Sequence, residues 1–236
     1  MSSGGGRRRR AEEGLTEKTD ERKENAEHFI ERIHARRRPE RALARSAAPD
    51  AISHHAPVLV LSRRGYETAV EGKNGCVCMV ERGWMAPFDS PEFWNSKVRG
   101  ANCLNAPAVR FVLPFAYRRT KLVLAGHSKV AVIAAIAGAL DKKELPALEP
   151  GGACYMMAKS SYLSDNGDHN GPHLMFYEPD KGDASWGANM PNSPVVSLNY
   201  WYLSAQAYPQ LKSFPAIRVF AVVLDKWSDG TLARSM

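Results

Sequence analysis

A short segment in the second half of the chain crowds side chains that can bind a metal ion. It contains Asp165, Asp168, His169 and His173. Imidazole nitrogens suit zinc, copper or iron, and carboxylate oxygens often complete such sites. The sequence therefore predicts a small-ligand or divalent-metal site at the Asp165–His173 loop, with Asp168, His169 and His173 as the metal ligands.

The spacing of these residues leaves alternatives open. It matches no zinc signature, and Pro172 restricts how the two rings can turn inward. A third or fourth ligand would come from a distant residue such as His54 or His55. Calcium is a poorer match, because Tyr177 stands where a calcium loop has its last acidic ligand. A polar hairpin turn that binds no metal is the alternative.

A second candidate chemistry is hydrolysis with a serine nucleophile. The run Gly126-His-Ser128-Lys-Val130 is similar to the Gly-x-Ser-x-Gly elbow, in which a strand turns sharply into a helix. Val130 replaces the last glycine, and Ser128 fits equally well as a helix N-cap. The enzymatic alternative is therefore a hydrolase that uses metal-activated water at the loop or, less favoured, Ser128 as nucleophile.

Composition predicts one folded domain behind a charged tail. The 236 residues are 44% hydrophobic and carry a net charge of +7, and residues 1–46 hold 13 Lys and Arg against 9 Asp and Glu. We predict a charged helical or disordered tail at 1–46, with a short helix over Glu40–Arg45, and a single α+β domain at 47–236. A tail of mixed sign attracts phosphate weakly, so nucleic acid is not an expected partner. The composition leaves the oligomeric state open.

Membrane and export signals are weak. No segment approaches the roughly 18 apolar residues of a membrane span. The basic run Arg7–Arg10 is followed by charged residues, where an export signal has an apolar segment. The sequence as written therefore predicts no signal peptide and, by default, a cytoplasmic protein.

The four cysteines are Cys76, Cys78, Cys103 and Cys154. None of them forms a C-x-x-C pair, so a zinc knuckle or thioredoxin-like site is not indicated. In a reducing compartment they would be buried small hydrophobic residues, which is the interpretation we favour, whereas export would permit disulfides.

The element pattern predicts an antiparallel sheet with helices packed on one face. Three strands form a predicted meander, at Pro57–Ser62, Tyr66–Val70 and Cys76–Glu81. A long aromatic loop covers 83–104, and helices follow at Ala106–Leu124, with a kink or boundary at Pro114, and at Lys129–Leu140. Four more strands are predicted at Ala153–Leu163, Pro172–Tyr177, Val195–Tyr202 and Ile217–Leu224.

Several blocks of the chain resemble a family of uncharacterised bacterial proteins, many of them apparently exported. The resemblance spans Leu43 to Gly230 and implies a domain that begins near residue 47, but no activity. Relatives are similar to exported proteins at the N-terminus and carry another histidine between the equivalents of His169 and His173. The blocks that carry the resemblance are Gly65-Tyr66-Glu67, Asn74-Gly75, Val80-Glu81-Arg82, Pro91-Glu92-Phe93-Trp94-Asn95, Cys154-Tyr155-Met156-Met157, Pro172-His173-Leu174-Met175-Phe176, Trp186-Gly187-Ala188-Asn189 and Lys226-Trp227-Ser228-Asp229-Gly230.

Overall fold

The protein forms one eight-stranded, mostly antiparallel sheet with helices on both faces, in a computed structural model that describes residues 37–167, 171–179, 184–198 and 217–233. The helices are α1 Arg37–Arg45, α2 Asp50–Ser53, α3 Ala106–Leu124 and α4 Lys129–Asp141. The strands are β1 Val58–Ser62, β2 Gly65–Val70, β3 Val77–Glu81, β4 Gly100–Leu104, β5 Gly152–Met156, β6 His173–Pro179, β7 Val195–Leu198 and β8 Ile217–Val223. Their order across the sheet is β2-β1-β3-β4-β5-β6-β8-β7. The α+β class is thus confirmed.

The first three strands differ from the predicted meander. β1 pairs with β2 as an antiparallel hairpin, but β3 pairs with β1 in parallel, so β1 lies between the other two. The chain returns across the start of β1 to make this pairing. Gly72 permits the crossing, because a Cβ atom there would lie 2.4 Å from backbone atoms of His55 and Ala56. The meander prediction was wrong because a single sequence does not reveal this close crossing.

The two long helices follow their predicted bounds closely. Asn105 caps α3 by accepting a hydrogen bond from the Ala108 amide, and the helix continues through Pro114 without the predicted boundary. Ser128 caps α4 by accepting from the Ala131 amide at 3.3 Å, as the N-cap interpretation predicts. Both helices pack on one face of the sheet, where they bury the apolar cluster around Met79, Phe111 and Ile136.

The segment predicted as a long aromatic loop contains an unpredicted strand. Trp84, Phe88 and Phe93 are buried and hold short 3-10 helices against α3, but residues 100–104 form β4 in the middle of the sheet. The residues of β4, Gly-Ala-Asn-Cys-Leu, have weak strand preferences. Complete burial between two neighbouring strands overrides that preference.

Helices occupy both faces, in contrast to the one-face prediction. The small helix α1 packs on the face opposite α3, where Ala44 contacts the apolar cluster that contains Cys78 and Val80. Pro39 lies in the first turn of α1, a position that tolerates proline. α1 lies within residues 1–46, which were predicted to be a tail, but Ala44 of α1 is part of the core.

Cys78 of β3 and Cys103 of β4 form a disulfide beneath α1. Cys76 and Cys154 are free thiols. The favoured interpretation of four buried thiols was therefore wrong for one pair, because directly opposed cysteines on adjacent strands lie at bonding distance. None of the helices in the described ranges is long and apolar enough to span a membrane.

Candidate functional site

A cavity of about 200 Å³ opens between α1 and the sheet. The first turns of α1, the end of β3 and the segment that follows β5 supply its walls. Two guanidinium groups and one carboxylate contribute to the lining, beside a patch of aliphatic side chains. The lining residues are Pro39, Glu40, Leu43, Val80, Arg82, Arg99, Ser160 and Tyr162.

A buried ion pair forms the inner wall of the cavity. Arg82 and Glu40 have side chains only 2% and 4% exposed, and Arg82 Nη2 lies 2.8 Å from Glu40 Oε1. The same carboxylate oxygen accepts a hydrogen bond from the Leu61 amide at 3.1 Å. Strand alternation explains the placement, because Val80 and Arg82 point to the α1 face while Glu81 points to the opposite face.

The ion pair leaves hydrogen-bonding capacity unused. Arg82 Nε and Nη1 are buried and have no partner in the part of the chain that the structure describes. A buried donor without a partner costs roughly 1–3 kcal/mol. Arg82 also lines the cavity, so these donors belong to a side chain that an acceptor in the cavity would meet.

The outer wall is held by a separate set of contacts. Arg99 and Tyr162 exchange two backbone hydrogen bonds, at 2.8 and 3.0 Å. The Tyr162 hydroxyl donates to Asp165 Oδ1, and Lys97 Nζ lies 2.9 Å from the same oxygen. These hydrogen bonds from Tyr162 and Lys97 hold the pKa of Asp165 below its usual range. The wall that carries Arg99 and Tyr162 is therefore fixed from two sides.

A second buried polar cluster lies on the opposite face of the sheet. Glu81 accepts a hydrogen bond from Asn102 Nδ2 at 2.9 Å, and burial raises the pKa of Glu81 to about 7. Arg119 is fully buried nearby, with its guanidinium carbon 4.1 Å from the centre of the Phe88 ring and Nη2 donating to the Ala86 carbonyl at 2.6 Å. Core side chains enclose this cluster, so we assign it to the stability of the fold.

No family model, curated protein or solved structure matches the chain. The site is therefore interpreted from its own residues.

The predicted metal ligands are only partly visible. Asp168 and His169 lie outside the described residues. His173 begins β6, is 5% exposed, and places Nδ1 2.8 Å from the Gly171 carbonyl oxygen. Within the described ranges, no group of three or more His, Cys, Asp or Glu side chains is arranged to hold a metal ion. The metal site thus stays a prediction.

The predicted distant ligands do not join His173. His54 and His55 follow α2 and are exposed, and His54 contacts Arg45 of α1. His173 lies on the α3 face of the sheet with Met175 and Tyr177, which belong to the core beneath α3. The sheet therefore separates these histidines.

The serine-nucleophile interpretation loses its structural basis. Residues 121–124 end α3 and are not a strand, so Ser128 lies in a turn between two helices. Its hydroxyl is exposed and caps α4. A nucleophile elbow needs a strand that leads into the helix, and this turn lacks one.

Three residues of the cavity, Glu40, Arg82 and Arg99, were not predicted as site residues from the sequence. Arg82 carries a detectable signal, because Glu81-Arg82 ends an apolar strand and alternation places one charge on each face. Glu40 carries none, since it is one of many charges in the stretch 1–46. Its partner lies 42 residues away in the chain.

Proposed function

We propose that this protein binds a small anionic molecule, with a carboxylate or phosphate group, in the cavity between α1 and the sheet. One observation carries the proposal: Arg82 lines the cavity, is 2% exposed, and has two guanidinium nitrogens without a described partner. Arginine presents five donors in a rigid plane and is suited to these two groups.

The charge balance of the cavity also favours an anion. Arg82 and Arg99 supply two positive charges against the one negative charge of Glu40. Arg82 cannot leave the cavity wall easily, because its Nη2 is bonded to Glu40 on the adjacent helix. The positive group is therefore held in place before a ligand arrives, which lowers the entropic cost of binding.

The size of the cavity limits the ligand. Pockets for drug-sized ligands enclose roughly 300–1,000 Å³, and this cavity holds about 200 Å³. The aliphatic side of the lining, from Pro39, Leu43 and Val80, suits a short hydrocarbon segment. A small organic acid or inorganic phosphate fits these limits better than a nucleotide does.

Calorimetric titration of the full chain with sodium acetate, propionate and phosphate tests the proposal. Chloride at matched ionic strength controls for general salt effects. We expect saturable binding that the double variant Glu40→Gln/Arg82→Gln loses, because the double variant removes both charges of the pair together. Arg118→Gln is the matched control, since Arg118 is a half-exposed arginine of α3 on the other face of the sheet. Equal heats from the wild type and the double variant would overturn the proposal.

A second candidate function is binding of a divalent metal by Asp168, His169 and His173. It is supported by the hydrogen bond of His173 Nδ1 to the Gly171 carbonyl. A carbonyl only accepts, so Nδ1 carries the proton and Nε2 is the nitrogen with metal-binding character, an arrangement common among metal-bound histidines.

Elemental analysis after mild dialysis tests the metal candidate. The wild type should retain about one equivalent of zinc, copper or iron per chain. The variant His169→Ala/His173→Ala should retain none. If neither sample retains metal, nor takes it up when zinc, copper or calcium is supplied, the metal candidate is wrong.

A further inference from the structure

The inner wall of the cavity offers an acceptor as well as unused donors. Glu40 Oε1 accepts from Arg82 and from the Leu61 amide. Both of these hydrogen bonds end on Oε1 rather than Oε2, and Glu40 is only 5% exposed and lines the cavity. A carboxylate oxygen beside a cavity is a strong acceptor for a ligand with N–H groups.

We infer that the ligand is a small zwitterion, an α-amino acid or a close analogue with a short aliphatic side chain. The inference rests on the proposed function, because it places the carboxylate of the ligand on Arg82. The ammonium group then donates to Glu40 Oε2. The two protein groups are adjacent and of opposite charge, as are the two charged groups of an α-amino acid.

The remaining lining agrees with this ligand class. Leu43 and Val80 supply apolar surface for an aliphatic side chain, and Arg99 adds a second positive charge. Placing the ligand ammonium on Glu40 also removes a conflict in simple anion binding. A plain carboxylate on Arg82 would lie beside the negative charge of Glu40, whereas a zwitterion compensates that charge with its own.

The cost of the buried pair gives a further reason for the assignment. The desolvation cost of two buried charges is offset only if their remaining donors and acceptors also form hydrogen bonds. Within the described residues, the pair is joined through Arg82 Nη2 and Glu40 Oε1, and Arg82 Nε and Nη1 have no partner. A zwitterion satisfies the rest from within the cavity, with both charges of the ligand matched.

A ligand series tests the inference without changing the protein. Calorimetry of the full chain at pH 7 would compare alanine, propionate and N-acetylalanine, which share a carboxylate and a short carbon chain but differ at the amino group. We expect alanine to bind about tenfold more tightly than propionate, since it adds a hydrogen bond between charged groups. N-acetylalanine should bind no better than propionate.

The variant Glu40→Gln sharpens the test. Its side-chain amide keeps an oxygen that can accept from Leu61 and Arg82, but it places an NH₂ group where the ligand ammonium would bind. We expect the preference to invert, with weaker alanine binding and stronger propionate binding, because Arg82 loses its internal counter-charge. Circular dichroism would confirm that Glu40→Gln folds. If it does not fold, the wild-type ligand series by itself tests the zwitterion inference.

The outcomes separate the two claims. Equal affinity for alanine and propionate in the wild type would overturn the zwitterion inference and leave anion binding intact. If none of the three ligands binds, and acetate and phosphate do not bind either, both the zwitterion inference and the proposed anion binding are wrong. Tight alanine binding that survives Glu40→Gln unchanged would place the ligand away from Glu40 and overturn the inference.

Discussion

Two buried arginines lie on opposite faces of the same sheet and have different surroundings. The Arg119 guanidinium lies over the Phe88 ring and donates to the Met85 and Ala86 carbonyls. Arg82 is paired with the carboxylate of Glu40 and faces a cavity. Carbonyls and aromatic rings stabilise a cation without leaving a gap for a ligand. An ion pair beside a cavity can still bind charged molecules, so burial alone does not distinguish a structural charge from a binding charge.

The largest expected effect comes from breaking the ion pair. Arg82→Met alone should lower the free energy of unfolding by about 3–5 kcal/mol, because it leaves the Glu40 carboxylate buried and uncompensated. Adding Glu40→Gln should restore most of this loss. Urea unfolding of the single and double variants measures the coupling.

Arg119→Met provides the control for that cycle. Its combination with Glu40→Gln should be additive, because the two residues lie on opposite faces of the sheet. If the losses in the free energy of unfolding caused by Arg82→Met and Glu40→Gln also simply add, Glu40 and Arg82 are not energetically coupled.

Reduction of the Cys78–Cys103 disulfide should destabilise the α1 face. The bridge closes a loop with a sequence separation of 25, and the chain-entropy relation gives a loss of about 3.5 kcal/mol for such a loop. Hydrogen exchange should show the amides of α1 losing more protection than those of α3, because the bridge lies beneath α1. The variant Cys78→Ala/Cys103→Ala should be insensitive to reductant, and equal loss of protection in both helices would contradict this prediction.

Glu81, on the α3 face of the sheet, should make the stability of the protein depend on pH. Burial raises the pKa of Glu81 from 4.5 to about 7, so folding favours the protonated form. The associated stability is fully present below pH 4.5 and is lost as pH rises through 7, with a total of about 3 kcal/mol. Glu81→Gln should flatten urea-unfolding stability across this window. A wild-type profile that stays flat from pH 4.5 to 7 would show that Glu81 is not perturbed.

The smallest effect concerns the hydrogen bond from Trp84 Nε1 to Thr120 Oγ1, at 3.0 Å in the core beneath α3. Thr120→Val should cost about 1–2 kcal/mol, because it leaves the indole N–H buried without its acceptor. Thr120→Ser keeps the hydroxyl and should cost less. Thermal unfolding distinguishes the two variants, and anion binding should be unchanged in both.

The sequence predicted most elements but not how they pair. Strong patterns, such as the apolar run of β1 and the Ser128 cap of α4, specify local structure and were confirmed. β4 was missed because its residues have weak strand preferences, and the parallel pairing of β1 with β3 depends on the close crossing at Gly72. Both features arise from contacts between distant parts of the chain.

The candidate site was less predictable than the fold. A sequence indicates candidate sites when their residues lie close together along the chain, as His169 and His173 do. The cavity instead combines Glu40 with Arg82 and Arg99, which are brought together by strand order and the docking of α1. The charge of Glu40 has no distinctive neighbours in sequence, so only the folded structure identifies it.

The most direct test of anion binding in the cavity is to follow the side-chain Nε–H resonances of Arg82 and Arg119 by NMR during titration with acetate. Arg82→Lys and Arg119→Lys would assign the two signals. We expect a saturable downfield shift at Arg82, as its Nε–H gains an acceptor, and no change at Arg119. A shift at Arg119 alone, or no shift at either arginine up to high acetate concentration, would contradict the claim that Arg82 binds an anion in the cavity.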